Sequence, residues 1–264
     1  MYPTFTLFGR TLGLYGIMSV LGFAAAITFA WLRARRRYAE GKTSILPGSI
    51  INMSMIILVG AMLGAVLLRP ITRLPDMLFH WEAYAHLAWR EWVRVLFGEI
   101  VFYGGLLGGI GSGLWFCRGF KLPIGEVADI VAPAIPLGHA LGRIGCFFGG
   151  CCYGVHSGTW LDVSFPYGEH LPLQLFESVG NLILCIVLFV YLRKPKHPGN
   201  GMALYVSLYA AMRFTLEFWR GDAVRGNFAG LSTSQWIALA MGTSVAVWWL
   251  YKKYTHTKFS SFGE

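Results

Sequence analysis

Charge is what this sequence has least of. Asp, Glu, Lys and Arg make up 13% of its 264 residues, about half the ~25% of an ordinary soluble domain. Acidic residues are the scarcer sign: 13 against 22 Lys and Arg, a net charge of +9. No internal repeat, low-complexity tract, linker or nucleic-acid-binding motif is evident. In place of charge stands apolar surface: 55% hydrophobic residues, 16% aromatics and a mean hydropathy of +0.54. A soluble globule of this size could not bury that much. Disorder is excluded too, because it needs low hydrophobicity. A polytopic membrane protein remains. Its positive excess belongs to cytoplasmic loops and anionic lipid, not to nucleic acid.

A bilayer crossing takes about 20 apolar residues. Seven such segments are predicted: Leu12–Leu32, Ile45–Leu68, Ile100–Phe116, Ile124–Phe148, Leu173–Leu192, Gly201–Trp219 and Leu231–Tyr251. The first reads as a true span rather than a cleaved leader, since its basic cluster follows it. The fourth carries Glu126, Asp129, Pro133 and Pro136, which predict a kink or re-entrant stretch. Basic residues crowd one side: Arg33, Arg35, Arg36, Arg37 and Lys42, then Arg118 and Lys121, then Arg193, Lys194 and Lys196, then Lys252, Lys253 and Lys258. The other side holds Arg10, Arg69, Arg73, Arg90, Arg94, Arg220 and Arg225. The N-terminus is therefore expected outside and the C-terminus in the cytoplasm. The fold class is all-α, a single integral membrane domain over 1–264. Leu78, Trp81, Ala85, Ala88, Trp92 and Val95 follow the helical period and predict one amphipathic helix within Leu74–Phe97 on the outer surface, or packed on the spans.

Ionisable groups inside spans cost ~2.5–3.5 kcal/mol each at a helix centre, so each needs a partner or a purpose. Arg213 and Glu217 are spaced i, i+4, with Arg220 following on the same predicted face. His139 and Arg143 are also i, i+4, and Gln174 and Glu177 are i, i+3. Counting along the spans puts these groups, with Tyr15 and Tyr103, near the outer headgroups. Buried Arg–Glu pairs locking the bundle are one explanation. The excess of guanidinium over carboxylate at headgroup depth favours another, a phosphate gripped bidentately. Glu126 and Asp129 are expected to cap the inner start of the fourth span.

Gly142-Arg143-Ile144-Gly145-Cys146-Phe147-Phe148-Gly149-Gly150-Cys151-Cys152-Tyr153-Gly154 resembles the signature stretch of bacterial prolipoprotein diacylglyceryl transferases. Leu14-Tyr15-Gly16, Gly104-Gly105-Leu106, Pro172-Leu173-Gln174-Leu175-Phe176-Glu177, Arg213-Phe214-Thr215-Leu216-Glu217-Phe218-Trp219-Arg220 and Ser234-Gln235 resemble further family elements in the same order. The resemblance runs from about Phe8 to Tyr251. It implies transfer of the diacylglyceryl group of phosphatidylglycerol to a prolipoprotein cysteine, with a thioether formed and glycerol phosphate released. It implies a bacterial cytoplasmic (inner) membrane location with the active site facing outward. The partners implied are phosphatidylglycerol, the prolipoprotein signal-peptide region and the bilayer, with no cofactor or metal. Tyr15, Gly104, Gly105, Gly142, Arg143, Gly154, Gln174, Glu177 and Arg220 are the expected substrate-binding residues, and Arg143, Arg213, Tyr103, His139 and Glu217 the expected catalytic ones.

Three positions depart from the family pattern. Cys146 stands for an asparagine, Cys151 for a glutamate, and Tyr103 for the histidine of a His-Gly-Gly-Leu element. They motivate an alternative, a related glycerophospholipid-dependent transferase with another acceptor. A seven-helix transporter or receptor would spread its polar residues through the membrane depth. On the transferase reading Arg143 and Arg213 clamp the phosphate, with Arg220 at the rim. Glu217 orients an arginine, and His139 or Tyr103 takes the thiol proton. Cys117 and Cys185 read as apolar filler. Cys146, Cys151 and Cys152 leave four readings open: packing, a disulfide, a metal site with His156, or a nucleophile. His80, His86 and His170 read as solvated.

Overall fold

The computed structural model describes residues 4–7, 10–98, 101–194, 197–221 and 227–260. Lys196 and Arg225, used for orientation, lie outside these residues, as do the side chains of Arg10, His256 and Lys258. A short hairpin, β1 (Thr4–Leu7) and β2 (Arg10–Gly13), leads into α1 (Leu14–Ala39). Then follow α2 (Pro47–Phe79), α3 (Trp81–Tyr84), α4 (Trp89–Phe97) and α5 (Phe102–Gly119). Next come α6 (Ile124–Val131) and α7 (Ala134–Phe148), the hairpin β3 (Val163–Phe165) and β4 (Gly168–His170), and α8 (Leu173–Tyr191). Last are α9 (Asn200–Leu216), a 3-10 turn over Glu217–Trp219, the hairpin β5 (Asn227–Phe228) and β6 (Leu231–Ser232), and α10 (Thr233–Ser260).

Among the described residues, four helical segments are long and apolar enough to cross a membrane: Leu14–Ala39, Pro47–Phe79, Ile124–Phe148 and Leu173–Tyr191. A fifth arises if Trp89–Phe97 and Phe102–Gly119, bent by 69°, count as one span. The fourth predicted span is broken where the kink was expected, with Pro133 between α6 and α7. α9 and α10 occupy the sixth and seventh predicted spans as helices, but neither meets the same test of length and apolarity.

Along α8 the usual globular pattern is inverted. Gln174, Glu177, Ser178 and Asn181 are buried, whereas Val179, Ile183, Ile186 and Val190 are exposed. Such an arrangement is stable only where the outer solvent is itself apolar, so the helix faces lipid and turns its polar stripe inward.

The chain divides into two compact units, one of Met1–Ala30 with Ala128–Glu264 and one of Trp31–Val127. In the second, α2 packs on α5 through glycines. A Cβ at Gly104 would overlap the Gly64 carbonyl, and one at Gly108 would overlap the Gly60 carbonyl. This close approach is the small-xxx-small packing of membrane helices. Cys117 is buried there, with its thiol 3.9 Å from the Met53 sulfur, as expected of apolar filler. Thr43 donates its hydroxyl to Glu126 at 3.0 Å.

The single amphipathic helix expected within Leu74–Phe97 is instead three pieces. α2 runs on through Pro75 to Phe79, His80 leaves the helical region (φ −122, ψ 37), and Ala88 is extended before α4. The cause is local hydrogen bonding that competes with a continuous helix. Asp76 pairs with Arg73 (3.4 Å) and His80 (3.1 Å) and accepts the Tyr84 hydroxyl, while Glu91 accepts the Ala88 N–H at 3.0 Å. His80 is exposed, as expected, with its Nδ1 beside the Asp76 carboxylate.

In the first unit, Asp129 does not cap its own helix as expected. Its carboxylate accepts the N–H groups of Gly199 (2.9 Å), Gly201 (2.8 Å) and Met202 (3.1 Å), the open N-terminal donors of α9. A helix start in apolar surroundings has no water to satisfy those groups, so a carboxylate from another helix does.

Candidate active site

The first unit gathers polar side chains from α7, α8, α9 and the turns beyond. On α7, His139 and Arg143 lie one helical turn apart, and Arg143 donates Nε–H to His139 Nε2 at 3.3 Å. α8 brings Glu177 against both: Oε1 is 3.0 Å from Arg143 Nη2 and 3.6 Å from His139 Nε2. The Glu177 side chain is 2% exposed and that of Arg143 15%. Ser178 donates to the Ala140 carbonyl at 2.9 Å, and Asn181 donates to the Glu177 carbonyl at 2.8 Å. Glu177 and Ser178 therefore fix the rotation of α8 against α7, while the Asn181 bond stays within α8.

A second pair closes the other side. Arg213, in the last turn of α9, is ion-paired with Glu217 and donates Nη2–H to Ser234 Oγ at 3.4 Å. The Ser232 hydroxyl donates to Glu217 Oε1 at 2.8 Å, and Gln235 Oε1 accepts the Ser232 N–H at 2.9 Å. Arg213 Nη1 is buried without a hydrogen-bond acceptor among the described residues, and so is Gln174 Oε1 without a donor. Tyr209 joins the two pairs. Its ring lies 5.4 Å from that of His139 and 5.8 Å from that of Tyr205, and its hydroxyl is within Coulombic reach of Glu177, Arg143, Arg213 and Arg220.

Arg220 is not on the helix face predicted for it. Glu217–Trp219 tighten into a 3-10 turn and Arg220 is extended (φ −79, ψ 133), in a strand-like bridge to Gly154. Val155 N–H donates to the Trp219 carbonyl (2.8 Å) and Gly154 N–H to the Leu171 carbonyl (2.9 Å). This β-type pairing takes the backbone out of the helix. It also accounts for Gly154, where a Cβ would lie 2.9 Å from both Leu171 Cβ and the Trp219 carbonyl oxygen.

The signature cysteines close the ensemble. Past α7 the chain reverses through Gly150 (φ 66) and Cys152 (φ 64), two left-handed residues in three positions. The reversal brings the sulfurs of Cys146, Cys151 and Cys152 within 4.8 Å of one another, all as free thiols. Gln174 Nε2 donates to the Cys151 carbonyl at 2.6 Å, tying this loop to the polar stripe of α8. Hydrogen bonds from the Cys146 and Cys151 thiols, with Arg220 and Arg143 nearby, push the Cys152 thiol below the ordinary thiol range. His156 does not join the cysteines as entertained from sequence. Its Nδ1 lies 3.0 Å from Asp162 and 2.9 Å from the Glu169 carbonyl. His170 is not merely solvated, because it packs on Tyr153 at 4.4 Å between ring centroids.

Of the predicted site residues, Tyr15, His139, Gly142, Arg143, Gly154, Gln174, Glu177, Arg213, Glu217 and Arg220 belong to the first unit. Tyr15 starts α1 beside α7, where a Cβ on Gly145 would be 3.2 Å from the Tyr15 carbonyl oxygen. Gly142 has open space on its Cβ side. Tyr103, Gly104 and Gly105 open α5 in the second unit, where Gly104 serves the packing on α2. Sequence reasoning missed Ser178, Asn181, Tyr205, Tyr209 and Ser232. Their signal was present for α8, as polar residues one turn from Gln174 and Glu177. Tyr209 carried none, since a tyrosine in a span is ordinary.

The fold and site together define a helical integral membrane protein with buried guanidinium–carboxylate pairs beside a thiol cluster. Comparison with known proteins narrows the class. The family profile described as prolipoprotein diacylglyceryl transferase matches residues 3–251, and the chain belongs to that family. A phosphatidylglycerol–prolipoprotein diacylglyceryl transferase of Clostridium tetani is 34% identical over 243 residues, 89% of this chain and 91% of the relative. Similar relatives of the same name occur in Stenotrophomonas maltophilia (35% identity, covering 78% of this chain and 75% of the relative) and, numbered 2, in Clostridium perfringens (31%, 88% of each).

Proposed function

We propose that this protein transfers the diacylglyceryl group of phosphatidylglycerol to the thiol of a prolipoprotein cysteine, forming a thioether and releasing glycerol phosphate. The bond broken joins the glyceryl carbon to a phosphate oxygen, so the enzyme must hold a phosphate and neutralise the charge that develops on it. The observation that carries this reading is the buried, partly unsatisfied guanidinium of Arg213, which shares with Arg143 the Coulombic reach of the Tyr209 hydroxyl. Arg143 and Arg213 grip the phosphate, and Arg220 stands at the rim. Glu177 and Glu217 are positioning residues that hold the two guanidinium planes. Tyr15, Gly142, Gly154 and Gln174 shape the lipid site, whereas Gly104, expected there from the sequence, packs against Gly64.

The acceptor thiol, of ordinary pKa near 8.5, must lose its proton. His139 and Tyr103 are the side chains sequence reasoning assigned to that task. In this reading 1–264 is one integral membrane domain of seven spans, with its N-terminus outside and its C-terminus in the cytoplasm. It resides in the bacterial inner membrane, with the site on the outer face and the signal-peptide region of the prolipoprotein docked there.

The test is complementation of a conditional transferase-depletion strain, with mass spectrometry of a reporter lipoprotein. Restored growth and a diacylglyceryl-bearing cysteine are expected. Failure of both, with the protein correctly inserted, would overturn the prolipoprotein assignment in favour of another acceptor.

A further inference from the structure

The geometry points to a thiophilic metal site formed by Cys146, Cys151 and Cys152, taking a redox-inert divalent cation of the zinc class and offering its fourth position to the acceptor thiol. This inference rests on the transferase reading and adds the means by which the thiol is activated.

Three observations carry it. The sulfurs, from the end of a helix and the loop after it, already lie within 4.8 Å of one another. Around a tetrahedral ion with ~2.3 Å bonds to sulfur they would stand about 3.8 Å apart, a contraction of an ångström or less. The backbone that brings them together is held under strain. Cys152 sits at φ 64, a conformation that costs a non-glycine residue free energy and persists only when the surroundings impose it. Those surroundings are the 2.6 Å hydrogen bond from Gln174 to the Cys151 carbonyl and the pairing of Tyr153–Val155 with Trp219–Gly221. Three thiolates on a divalent cation also leave net negative charge, and Arg143 and Arg220 stand within Coulombic reach of Cys152 to balance it.

Glu177 is committed to Arg143, and Glu217 to Arg213 and Ser232. His139 Nε2 accepts the Nε–H of Arg143, so its other ring nitrogen carries the proton in the neutral ring and is a donor. Neither carboxylate can take a proton without breaking an ion pair, and a proton on His139 Nε2 would break the hydrogen bond from Arg143. A metal ion needs none of them, because a thiol that coordinates it is deprotonated outright. Catalytic zinc centres keep three protein ligands and one exchangeable position. In the proposed step the acceptor S–H proton passes to water as sulfur coordinates. A sulfur electron pair then forms the bond to the glyceryl carbon. The carbon–oxygen bond breaks, and its electron pair leaves with glycerol phosphate.

The test uses the full chain in detergent micelles, reduced and freed of metal by chelation, then exposed to Zn2+ or Co2+ alone. About one Zn2+ per chain is expected, with protection of the three thiols from iodoacetamide shown by peptide mass spectrometry. The Co2+ form should show thiolate-to-metal charge-transfer absorption. Its visible bands should shift with a cysteine-bearing acceptor peptide and not with the serine version. Cys151→Ser and Cys152→Ser should each weaken binding by at least about tenfold. The wild-type protection experiment stands even if these variants misfold. Absence of stoichiometric binding and protection would overturn the site, and equal response to both peptides would overturn thiol activation. Undiminished transfer by the metal-free protein would refute this inference while leaving the transferase reading intact. A cysteine-specific shift with no transfer from phosphatidylglycerol would uphold the metal site and refute that reading.

Discussion

Replacing Arg143 by alanine separates a catalytic guanidinium from a structural one. In the wild type its Nη2 is 3.0 Å from Glu177 Oε1, and the two side chains are 15% and 2% exposed. At an effective dielectric of 20 that separation corresponds to a Coulombic attraction of about 5 kcal/mol before desolvation. Removal of the arginine leaves Glu177 a buried carboxylate without its guanidinium partner, 3.6 Å from His139. Stranding one member of such a pair costs about 3–5 kcal/mol. Arg143→Ala should therefore be substantially destabilised, and a loss of activity alone would prove nothing about phosphate binding. Adding Glu177→Gln removes the stranded charge. The double variant should regain most of the lost stability in thermal unfolding in micelles. If Arg143 also stabilises the departing phosphate, transfer to an acceptor peptide should stay down about 10²–10³-fold in both the single and the double variant. Recovery of transfer along with stability in the double variant would refute the phosphate clamp and reduce the pair to a structural lock.

Other outcomes follow from single contacts. Asp129→Ala strips three N–H partners from the start of α9 and should lower stability by about 1–3 kcal/mol, read as an earlier thermal transition, with Asp129→Asn in between. Gly104→Leu would drive a side chain into the Gly64 carbonyl and should abolish a protease-resistant α2–α5 core, whereas a bulkier residue at Gly111, which faces open space, should not. Burial raises the Asp162 carboxyl, but the Ser157 hydroxyl, the Gly158 and Ser157 N–H groups and His156 outweigh it and hold the group below the ordinary carboxylate range. A depressed carboxylate stabilises the folded loop above its unfolded pKa and loses that effect as pH falls through the folded one. Hydrogen exchange in Ser157–Asp162 should therefore stay protected at pH 5 and open only as pH falls below the ordinary carboxylate range, and Asp162→Asn should remove this acid transition.

What the sequence made legible were the features coded by local spacing. The i, i+4 separation of Arg213 and Glu217 was enough to identify that pair, and the i, i+3 separation of Gln174 and Glu177 marked the buried face of α8. The break at Pro133 was equally local. Illegible were partnerships made by the tertiary fold. Asp129 serves a helix some seventy residues further on, and the carboxylate paired with Arg143, that of Glu177, comes from α8 rather than from its own helix. Arg220 left the predicted helix face because pairing with Gly154 competes for its backbone. The expected amphipathic helix broke because Asp76 binds Arg73, His80 and Tyr84 at once. Periodicity registers which residues are apolar, not which hydrogen bonds interrupt a helix. The thiol cluster hinges on left-handed backbone at Gly150 and Cys152, and the latter is a residue type from which no such conformation is expected.

The central claim is a displacement at the glyceryl carbon with phosphate as the leaving group. Its most direct measurement follows both products at once, with the purified protein in vesicles of phosphatidylglycerol and a cysteine-bearing acceptor peptide. The account predicts one glycerol phosphate released for each diacylglyceryl thioether formed, and neither product with the serine peptide. Release of glycerol phosphate without thioether, or an acylated peptide with no glycerol phosphate, would contradict it.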